Sequence, residues 1–215
     1  MLVKDGIIYQ LLAAPDLEAT INCMAEAFPN SEPLTTALGI TIDEFYPFAE
    51  LVCIQAVEEG LSHIAKDANT GKVIGFRISE DLIQEESEEN NTVINSLIKF
   101  YPIISLLKDI KEAYLRDKII QKGQVLHFIM VGVQKNYRNL NIAKNLITEN
   151  LGLAEDKKFT TVICEATGKI SQHNARKLGF NEIVAIEYKD YLYQGLKVFE
   201  KIEPHAKCIL MEKII

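Results

Sequence analysis

The stretch that decides the fold reads VLHFIMVGVQKNYRNLNIAKNLI and runs from Val125 to Ile147. Its first part, Val125–Val131, is short, β-branched and apolar, which predicts a buried strand. From Ile142 and Ala143 onward, apolar residues recur at helical spacing, which predicts an amphipathic helix. The polar loop between them would direct backbone N–H groups and the positive end of the helix dipole toward one place. Such a loop is typical of a phosphate or pyrophosphate site, and a plain polar connection is the alternative.

The composition is that of an ordinary soluble domain, with 215 residues, 48% hydrophobic and 25% charged. That length fits one large domain, or one domain with an insertion. The formal net charge of −7 argues against nucleic-acid binding, because such sites need clustered lysine and arginine. The same charge is compatible with a small cationic substrate, although acidity that only maintains solubility is the preferred interpretation.

The sequence indicates neither a membrane span nor a metal site. It has no run of about 18 apolar residues, which a spanning helix would need, and its first residues contain no secretory apolar region. The four cysteines lie far apart without a CxxC pair, which predicts no zinc site and free, buried thiols in a reducing compartment. We therefore expect a cytoplasmic protein without a metal and without a membrane partner.

The remaining patterns predict a mixed α/β fold. Predicted strands lie at 7–12, 61–66, 72–78, 125–131, 160–164, 180–188 and 206–212, and predicted helices at 16–28, 41–60, 142–151 and 171–178. An acidic connector at 81–91 and a helical segment at 93–120, broken near Pro102, indicate a helical insertion at about 85–121. The order β-α-α-β-β-(α)-β-α-β-α-β-β predicts a sheet of about seven strands flanked by helices, in a single domain over 1–215.

Two motifs carry a resemblance to a known family. Residues 133–143 read VQKNYRNLNIA, and residues 177–180 read KLGF. The chain resembles the GCN5-related N-acetyltransferase (GNAT) superfamily, whose acetyl-CoA loop is roughly Val-x-Pro-x-Tyr-Arg-Gly-x-Gly-x-Gly/Ala. Gln134 replaces the proline, and Asn139 and Asn141 replace two glycines; asparagine tolerates left-handed backbone better than other non-glycine residues. The resemblance covers nearly the whole chain in element order and implies a mixed, mostly antiparallel sheet.

A narrower likeness is to the arylalkylamine (dopamine-type) N-acetyltransferases. It rests on AFPNSEPL at 27–34, YKDY at 188–191 and Pro-His at 204–205. The resemblance implies that a substrate amine attacks the thioester of acetyl-CoA directly, with no metal. It therefore predicts an acyltransferase that transfers acetyl to a small primary amine.

The resemblance also implies which residues bind the cofactor. The backbone of Val131, Gly132 and Val133 would pair with the pantetheine arm like an added strand. Gly132 indicates a bulge that would separate this strand from its neighbour. Backbone N–H groups of the loop would hold the pyrophosphate. The expected loop residues, with one more on the following short helix, are Arg138, Asn139, Leu140, Asn141, Ile142, Ala143 and Asn174.

The expected catalytic residues are Glu32, Thr167 and Ser171. As in the arylalkylamine branch, Glu32 would deprotonate the ammonium through water, and its apolar neighbours would shield it as general base work requires. A helix-terminal charge that faces solvent is the alternative. Thr167 and Ser171 would assist the thiolate, because Ala175 stands where many family members carry a tyrosine. Ser171 is also expected to N-cap the short helix.

Other titratable side chains are weaker candidates. His127 alternates with apolar residues on the central strand, which is typical of a satisfied core histidine, and a minor catalytic role stays open. Tyr188 and Tyr191 are alternative acids, although packed strand aromatics are the more usual interpretation.

Two other functions stay open at this point. The altered loop and the absent tyrosine favour a CoA-binding sensor or interaction module that has lost the chemistry. The same family acetylates proteins and peptides, so a protein N-acetyltransferase is the alternative within the enzyme class. A homodimer is compatible with the sequence but is not required by it.

Overall fold

The computed structural model describes residues 1–83 and 97–215. The strands are β1 (Leu2–Lys4), β2 (Ile7–Leu11), β3 (His63–Asp67), β4 (Val73–Asp81), β5 (Val125–Val133), β6 (Thr161–Ala166), β7 (Asn181–Glu187) and β8 (Lys207–Ile214). The helices are α1 (Leu17–Ala27), α2 (Pro33–Ala37), α3 (Ile42–Glu59), α4 (Tyr101–Leu115), α5 (Ile142–Asp156) and α6 (Lys169–Lys177).

One sheet of eight strands, in the order β1-β2-β3-β4-β5-β6-β8-β7, organises the described residues. Its neighbouring strands are antiparallel except β5 and β6, which run parallel. The predicted mixed, mostly antiparallel sheet is therefore confirmed, with one strand more than expected. The extra strand is β1, whose three residues are too few to show an alternating pattern.

Local sequence signals explain where the first helices begin and end. Thr41 and Glu44 form a reciprocal capping box at the start of α3, as the sequence predicts, and Gly60 ends that helix in the left-handed conformation. The sequence analysis did not predict α2. It is only five residues long, and Glu32 caps it while Pro33 occupies its first position.

The predicted helix at 93–120 has different boundaries in the structure. Residues 84–96, which include most of the predicted acidic connector, lie outside the described residues. After them a single 3₁₀ turn, Ile98–Phe100, leads into α4, which ends at Leu115. Pro102 lies in the first turn of α4 and does not break it, because a residue at that position has no intrahelical acceptor for an N–H group. The single-domain organisation with an insertion stays a prediction.

Helices cover both faces of the sheet. Helices α1, α3 and α4 pack on one face through the largest buried cluster, which includes Met24, Phe45 and Leu106. Helices α5 and α6 cover the other face, where Ile147 and Ala175 contact apolar residues of β5, β6 and β8. No helix among the described residues is both long and apolar enough to cross a membrane.

Candidate active site

The centre of the site is the open edge of β5. This strand pairs with β4 along nearly its whole length, up to Val133 opposite Gly75. Its pairing with β6 ends at Phe128, opposite Cys164. Beyond that pair the backbone of Val131, Gly132 and Val133 has one edge with no strand beside it among residues 1–83 and 97–215. An amide-bearing ligand can pair with such an edge as an added strand.

The bulge predicted at Gly132 is wrong. The register of β4 and β5 shifts between Ile78 and Ser79, which leaves Ile129 as the extra residue, three positions before the glycine. Gly132 lies opposite Phe76, and a Cβ atom at this position would overlap the Phe76 ring. The glycine is therefore required for packing on the face of the large core cluster, while the bulge occurs at Ile129.

The loop between β5 and α5 has the backbone conformation that a pyrophosphate cradle needs. Asn139 and Asn141 adopt φ angles of 67° and 58°, so both asparagines take the left-handed conformation that glycine adopts most easily. The N–H groups of Asn139, Leu140 and Asn141 donate to no acceptor among the described residues. These groups lie at the positive end of α5, which favours an anion.

The side chains of this loop are arranged so that the backbone stays accessible. Arg138, Asn139, Leu140 and Asn141 are exposed, whereas Ile142 is buried and anchors the first turn of α5 beneath the loop. The Arg138 side chain reaches back along the loop, with Nε 3.5 Å from the Val133 carbonyl oxygen.

Ala143 follows Ile142 on α5 and is half-buried. Its methyl group is small, so its own backbone N–H remains within reach of a ligand at the helix start.

Glu32 is held rigidly at the start of α2. Its Oε2 accepts a hydrogen bond of 2.7 Å from the backbone N–H of Thr35, which makes Glu32 the N-cap. The Thr35 hydroxyl in turn donates to the carbonyl oxygens of Pro29 and Glu32. The other carboxylate oxygen, Oε1, is buried and has no hydrogen-bond partner among the described residues. Glu32 is therefore not a solvent-facing charge, and one of its oxygens is left without a hydrogen bond in the described part of the chain.

The start of α6 adjoins the Glu32 loop. A Cβ atom at Gly168 would lie 3.3 Å from Pro33 Cγ and 3.5 Å from His205 Cε1 and Nδ1, so these segments meet closely. His205 Nδ1 accepts the backbone N–H of Lys169 at 3.0 Å. The structure thus brings the Glu-Pro and Pro-His motifs together at one end of α6.

The predicted N-cap role of Ser171 is wrong, because α6 begins two residues earlier. Gly168 is the N-cap, and Ser171 lies in the first turn. The Ser171 hydroxyl accepts the N–H of Gly168 at 3.1 Å and donates to the Gly168 carbonyl oxygen at 2.8 Å. Its proton is therefore already engaged. Thr167 and Asn174 are half-buried on either side of it, and no hydrogen bond of their side chains is seen among the described residues.

Both tyrosines considered as acids are packed and hydrogen-bonded. Tyr188 is buried and its hydroxyl donates to the Thr167 carbonyl oxygen at 2.7 Å. Tyr191 donates to Ser105 Oγ at 2.9 Å, and Asp109 Oδ2 lies 3.2 Å from the same hydroxyl. Burial is the main cause that raises the pKa of each phenol. These contacts agree with the interpretation of packed aromatics.

His127 lies between two carboxylates that the sequence analysis did not identify. Its Nδ1 is 2.8 Å from Glu80 Oε1, and its Nε2 is 2.6 Å from Glu165 Oε2. Burial acts against the charged imidazole, but the charge of Glu165 and the hydrogen bonds to both carboxylates outweigh it and raise the pKa of His127. The predicted satisfied core histidine agrees with this arrangement.

Arg77 is the other polar residue that sequence reasoning missed. It lies on β4 with 4% of its surface exposed, and Cζ is 3.7 Å from the centroid of the Phe128 ring. Its Nε and Nη2 have no hydrogen-bond partner among the described residues. The available sequence signal was a single arginine within the apolar run at 72–78, since a charge at an inward position of a central strand requires a partner.

Comparison with solved structures identifies the architecture. Arylalkylamine N-acetyltransferase 2 from Aedes aegypti superposes with a TM-score of 0.83 over 98% of this chain and 100% of that chain, at 24% sequence identity. The chain has the GNAT fold. A polyamine N-acetyltransferase of Drosophila melanogaster shares the GNAT fold too, with a TM-score of 0.78 over 97% of this chain and 100% of that one, at 19% identity.

A third structural neighbour and one sequence match concern the same protein. The C-terminal condensation domain of Ebony, solved with beta-alanyl-dopamine, gives a TM-score of 0.79 over 100% of both chains at 19% identity. The beta-alanyl-bioamine nonribosomal peptide synthetase Ebony of Drosophila melanogaster is 23% identical over 145 residues. Those residues are 64% of this GNAT-fold chain, which spans only 15% of that relative's length. No family model matches the sequence.

Proposed function

We propose that this protein is an acetyl-CoA-dependent N-acetyltransferase that acetylates a small primary amine. The observation that carries the proposal is Glu32, a carboxylate fixed by its own helix cap with a second, buried oxygen left unpartnered. Its loop adjoins the start of α6. Structural neighbours that are named as amine N-acetyltransferases support the same reaction class.

The residues present fit acetyl-CoA. The free edge of Val131–Val133 suits an amide-bearing arm, and the unused N–H groups of Asn139, Leu140 and Asn141 suit a pyrophosphate. Both features lie along one line, because the loop directly follows the strand. When bound, acetyl-CoA supplies an activated acetyl thioester.

The chain's own residues then perform the proton transfers. Glu32 takes a proton from the substrate ammonium through a water molecule, and the fixed Oε1 orients that water. The start of α6 places a positive helix end near the leaving sulfur. Of the two hydroxyls proposed to assist there, Thr167 is the less constrained, since Ser171 already donates its proton to the Gly168 carbonyl oxygen.

The acidic character of the chain and its thiols suggest the setting of this reaction. A net charge of −7 favours the approach of an amine that is protonated in solution. Cys23, Cys53, Cys164 and Cys208 are free, and burial is the main cause that raises the pKa of each thiol. Unpaired cysteines of this kind are usual in a reducing compartment, so we propose a cytoplasmic location.

The test is release of CoA thiol from acetyl-CoA with a panel of arylalkylamines, polyamines and aminoglycosides. The Glu32→Gln variant retains an oxygen to accept the Thr35 N–H but loses the base. We expect its kcat/KM to fall by about 10²–10⁴-fold, which is typical of losing a general base, with unchanged acetyl-CoA affinity.

Glu58→Gln is the matched control, because it removes an exposed carboxylate on α3 and should leave turnover unchanged. Equal turnover by Glu32→Gln and the wild type would show that Glu32 is not the base. Tight acetyl-CoA binding with no turnover on any amine would favour the sensor function instead.

The match to Ebony supports a second candidate, condensation of an aminoacyl group with an amine. The same fixed carboxylate could deprotonate the amine in that reaction. Replacing acetyl-CoA by a series of aminoacyl thioesters, with mass-spectrometric detection of the amide, distinguishes the two. Amide formed only from aminoacyl donors would favour condensation over acetyl transfer.

A further inference from the structure

Arg77 is a buried cation without an acceptor. Two of its three nitrogens have no hydrogen-bond partner among the described residues, although only 4% of its surface is exposed. Unsatisfied donors on a buried charged group are costly to stability. Burial lowers the pKa of Arg77 to about 9, so the guanidinium still carries its charge at neutral pH. The energetic cost is understandable if an acceptor arrives with a ligand.

The guanidinium lies at the base of the opening between β5 and β6. It covers the ring of Phe128, the last residue of β5 that pairs with β6. The titratable groups that act on its charge are Cys164, the last residue of β6 that pairs with β5, and Glu165, which follows it. Phe128 belongs to the cluster that α5 and α6 cover. Arg77 therefore faces the side of the sheet on which the cradle and the start of α6 lie.

A cofactor arm held by this protein would end close to Arg77. The pyrophosphate cradle follows Val133 in the chain, so an arm that pairs with the free edge of β5 runs from Val133 through Val131 toward Phe128. Arg77 lies opposite Val131 in the sheet register. The reactive sulfur is at the far end of the arm and so reaches the region of the guanidinium.

The leaving sulfur needs a stabilising group that the other candidates do not readily supply. Ser171 gives its proton to the Gly168 carbonyl oxygen. Ala175, also in the Phe128 cluster, offers no polar atom in its side chain. Tyr188 donates its proton to the Thr167 carbonyl oxygen. Donors fixed in a dry environment stabilise developing negative charge strongly, and Arg77 has two such donors unused.

We propose that Arg77 lies against the sulfur of bound CoA and stabilises the thiolate that leaves during acetyl transfer, an inference that rests on the proposed function. The C–S bond breaks with its electron pair on sulfur as the C–N bond forms. The amine nitrogen gives one proton to Glu32 before the attack, and Glu32 releases this proton to solvent. The nitrogen loses a second proton after the attack, and this proton passes to the thiolate, so that CoA departs as the thiol.

The test compares binding of CoA with binding of desulfo-CoA, which lacks only the sulfur, by calorimetry between pH 6 and pH 8.5. In the wild type the ratio of CoA affinity to desulfo-CoA affinity should grow up to about fivefold over this range, because a thiol of ordinary pKa about 8.5 whose pKa falls by one unit on binding gains its full factor of ten only above that pKa. In Arg77→Met, which keeps the length but removes the charge, this growth should disappear. Desulfo-CoA binding should be equal in both proteins.

Neighbouring groups do not mimic this result. His63, the cross-strand neighbour of Arg77, has its pKa lowered to about 4 by burial, and Cys164 has its pKa raised to about 12 by burial. Glu165 has its pKa lowered, because His127 outweighs burial. His127 itself can titrate in this range, but Arg77→Met retains it. A pH dependence that came from His127 would therefore survive in the variant and would overturn the proposal.

Two further outcomes separate this proposal from the proposed function. Absence of CoA binding by the wild type would overturn both. Wild-type binding of CoA with an affinity ratio to desulfo-CoA that does not change with pH would overturn the role of Arg77 alone, since the sulfur would then not lie against the guanidinium. Arg77→Lys, which restores a charge, should recover part of the pH dependence. Thermal unfolding confirms that each variant is folded, and the wild-type titration remains decisive if Arg77→Met does not fold.

Discussion

The two ends of β5 lie a few residues apart but differ in how their polar neighbours are satisfied. Around His127 the strand has a partner strand on each side, and the imidazole binds a carboxylate at both nitrogens. Around Val131 the strand has one partner, and the nearby Arg77 has donors without acceptors. Where the sheet is closed, the chain supplies a partner to each imidazole nitrogen, although Glu165 Oε1 is buried without a partner among the described residues. Where the sheet opens, it leaves polar groups unsatisfied, as a site that awaits a ligand does.

The largest expected effect on stability comes from removing the His127 side chain, at the end of β5 that pairs with a strand on each side. His127→Ala leaves the buried carboxylate of Glu165 and the half-buried one of Glu80 without their cation, so we expect the free energy of unfolding to fall by about 3–5 kcal/mol. Chemical denaturation measures this change. His173→Ala, which removes an exposed histidine on α6, is the control and should alter stability little. If both variants lose the same amount, His127 does not hold the closed end together.

The pH dependence of the stability that His127 contributes tests the same contrast between the two ends of β5. Because the folded protein raises the pKa of His127 above its ordinary value of 6.5, the stabilisation from its charge is complete below pH 6.5 and is lost as the pH rises through the folded pKa. The difference in unfolding free energy between wild type and His127→Ala should therefore shrink from pH 6.5 upward. A difference that grows over this range would contradict a charged His127.

A smaller effect is expected from crowding the open end. Gly132→Ala places a methyl group in the Phe76 ring, so we expect a loss of about 1–3 kcal/mol in unfolding free energy, as overpacking usually costs. Adding Phe76→Leu should recover part of the loss by making room. Gly152→Ala on α5, where a Cβ meets no atom within 4 Å, is the control and should not destabilise the protein. No recovery in the double variant would show that Phe76 is not the obstacle.

The smallest expected effect concerns the two asparagines of the cradle. Replacing Asn139 or Asn141 by alanine should cost about 1 kcal/mol, because left-handed backbone is unfavourable for residues with a Cβ atom. The glycine variants should equal the wild type and should bind CoA at least as tightly. Asn136→Ala, whose φ is negative, is the control. Calorimetry with CoA would contradict this account if the alanine and glycine variants bound it equally.

The sequence predicted most of the fold because long elements carry periodic signals. The strand before the cradle, the helix after it, the capping box of Thr41 and the satisfied His127 all follow from local pattern. The short α2 and three-residue β1 were missed, since both are too short to show a repeating pattern. Ser171 was misplaced as an N-cap because Gly168 has no side chain to signal the helix start.

The unsatisfied groups could not be predicted because they depend on distant partners. Glu165 meets His127 only through the parallel pairing of β5 and β6, and Gly132 faces Phe76 only through the register of β4 and β5. Local sequence does not fix these registers. Arg77 was visible as a charge in an apolar strand, but only the three-dimensional structure shows that its partner is missing.

The order of the last strands has a consequence for how the chain folds. β8 lies between β6 and β7, and β7 pairs with no other strand among the described residues. β7 therefore has no partner until Lys207–Ile214 has been synthesised. β8 also contacts two helices. Its Glu212 accepts a hydrogen bond from the Tyr114 hydroxyl of α4, and its Lys213 donates one to the carbonyl oxygen of Leu178 at the end of α6. During synthesis on the ribosome, the wall of the site formed by β6 and α6 is completed last, by non-local contacts of the kind that slow folding.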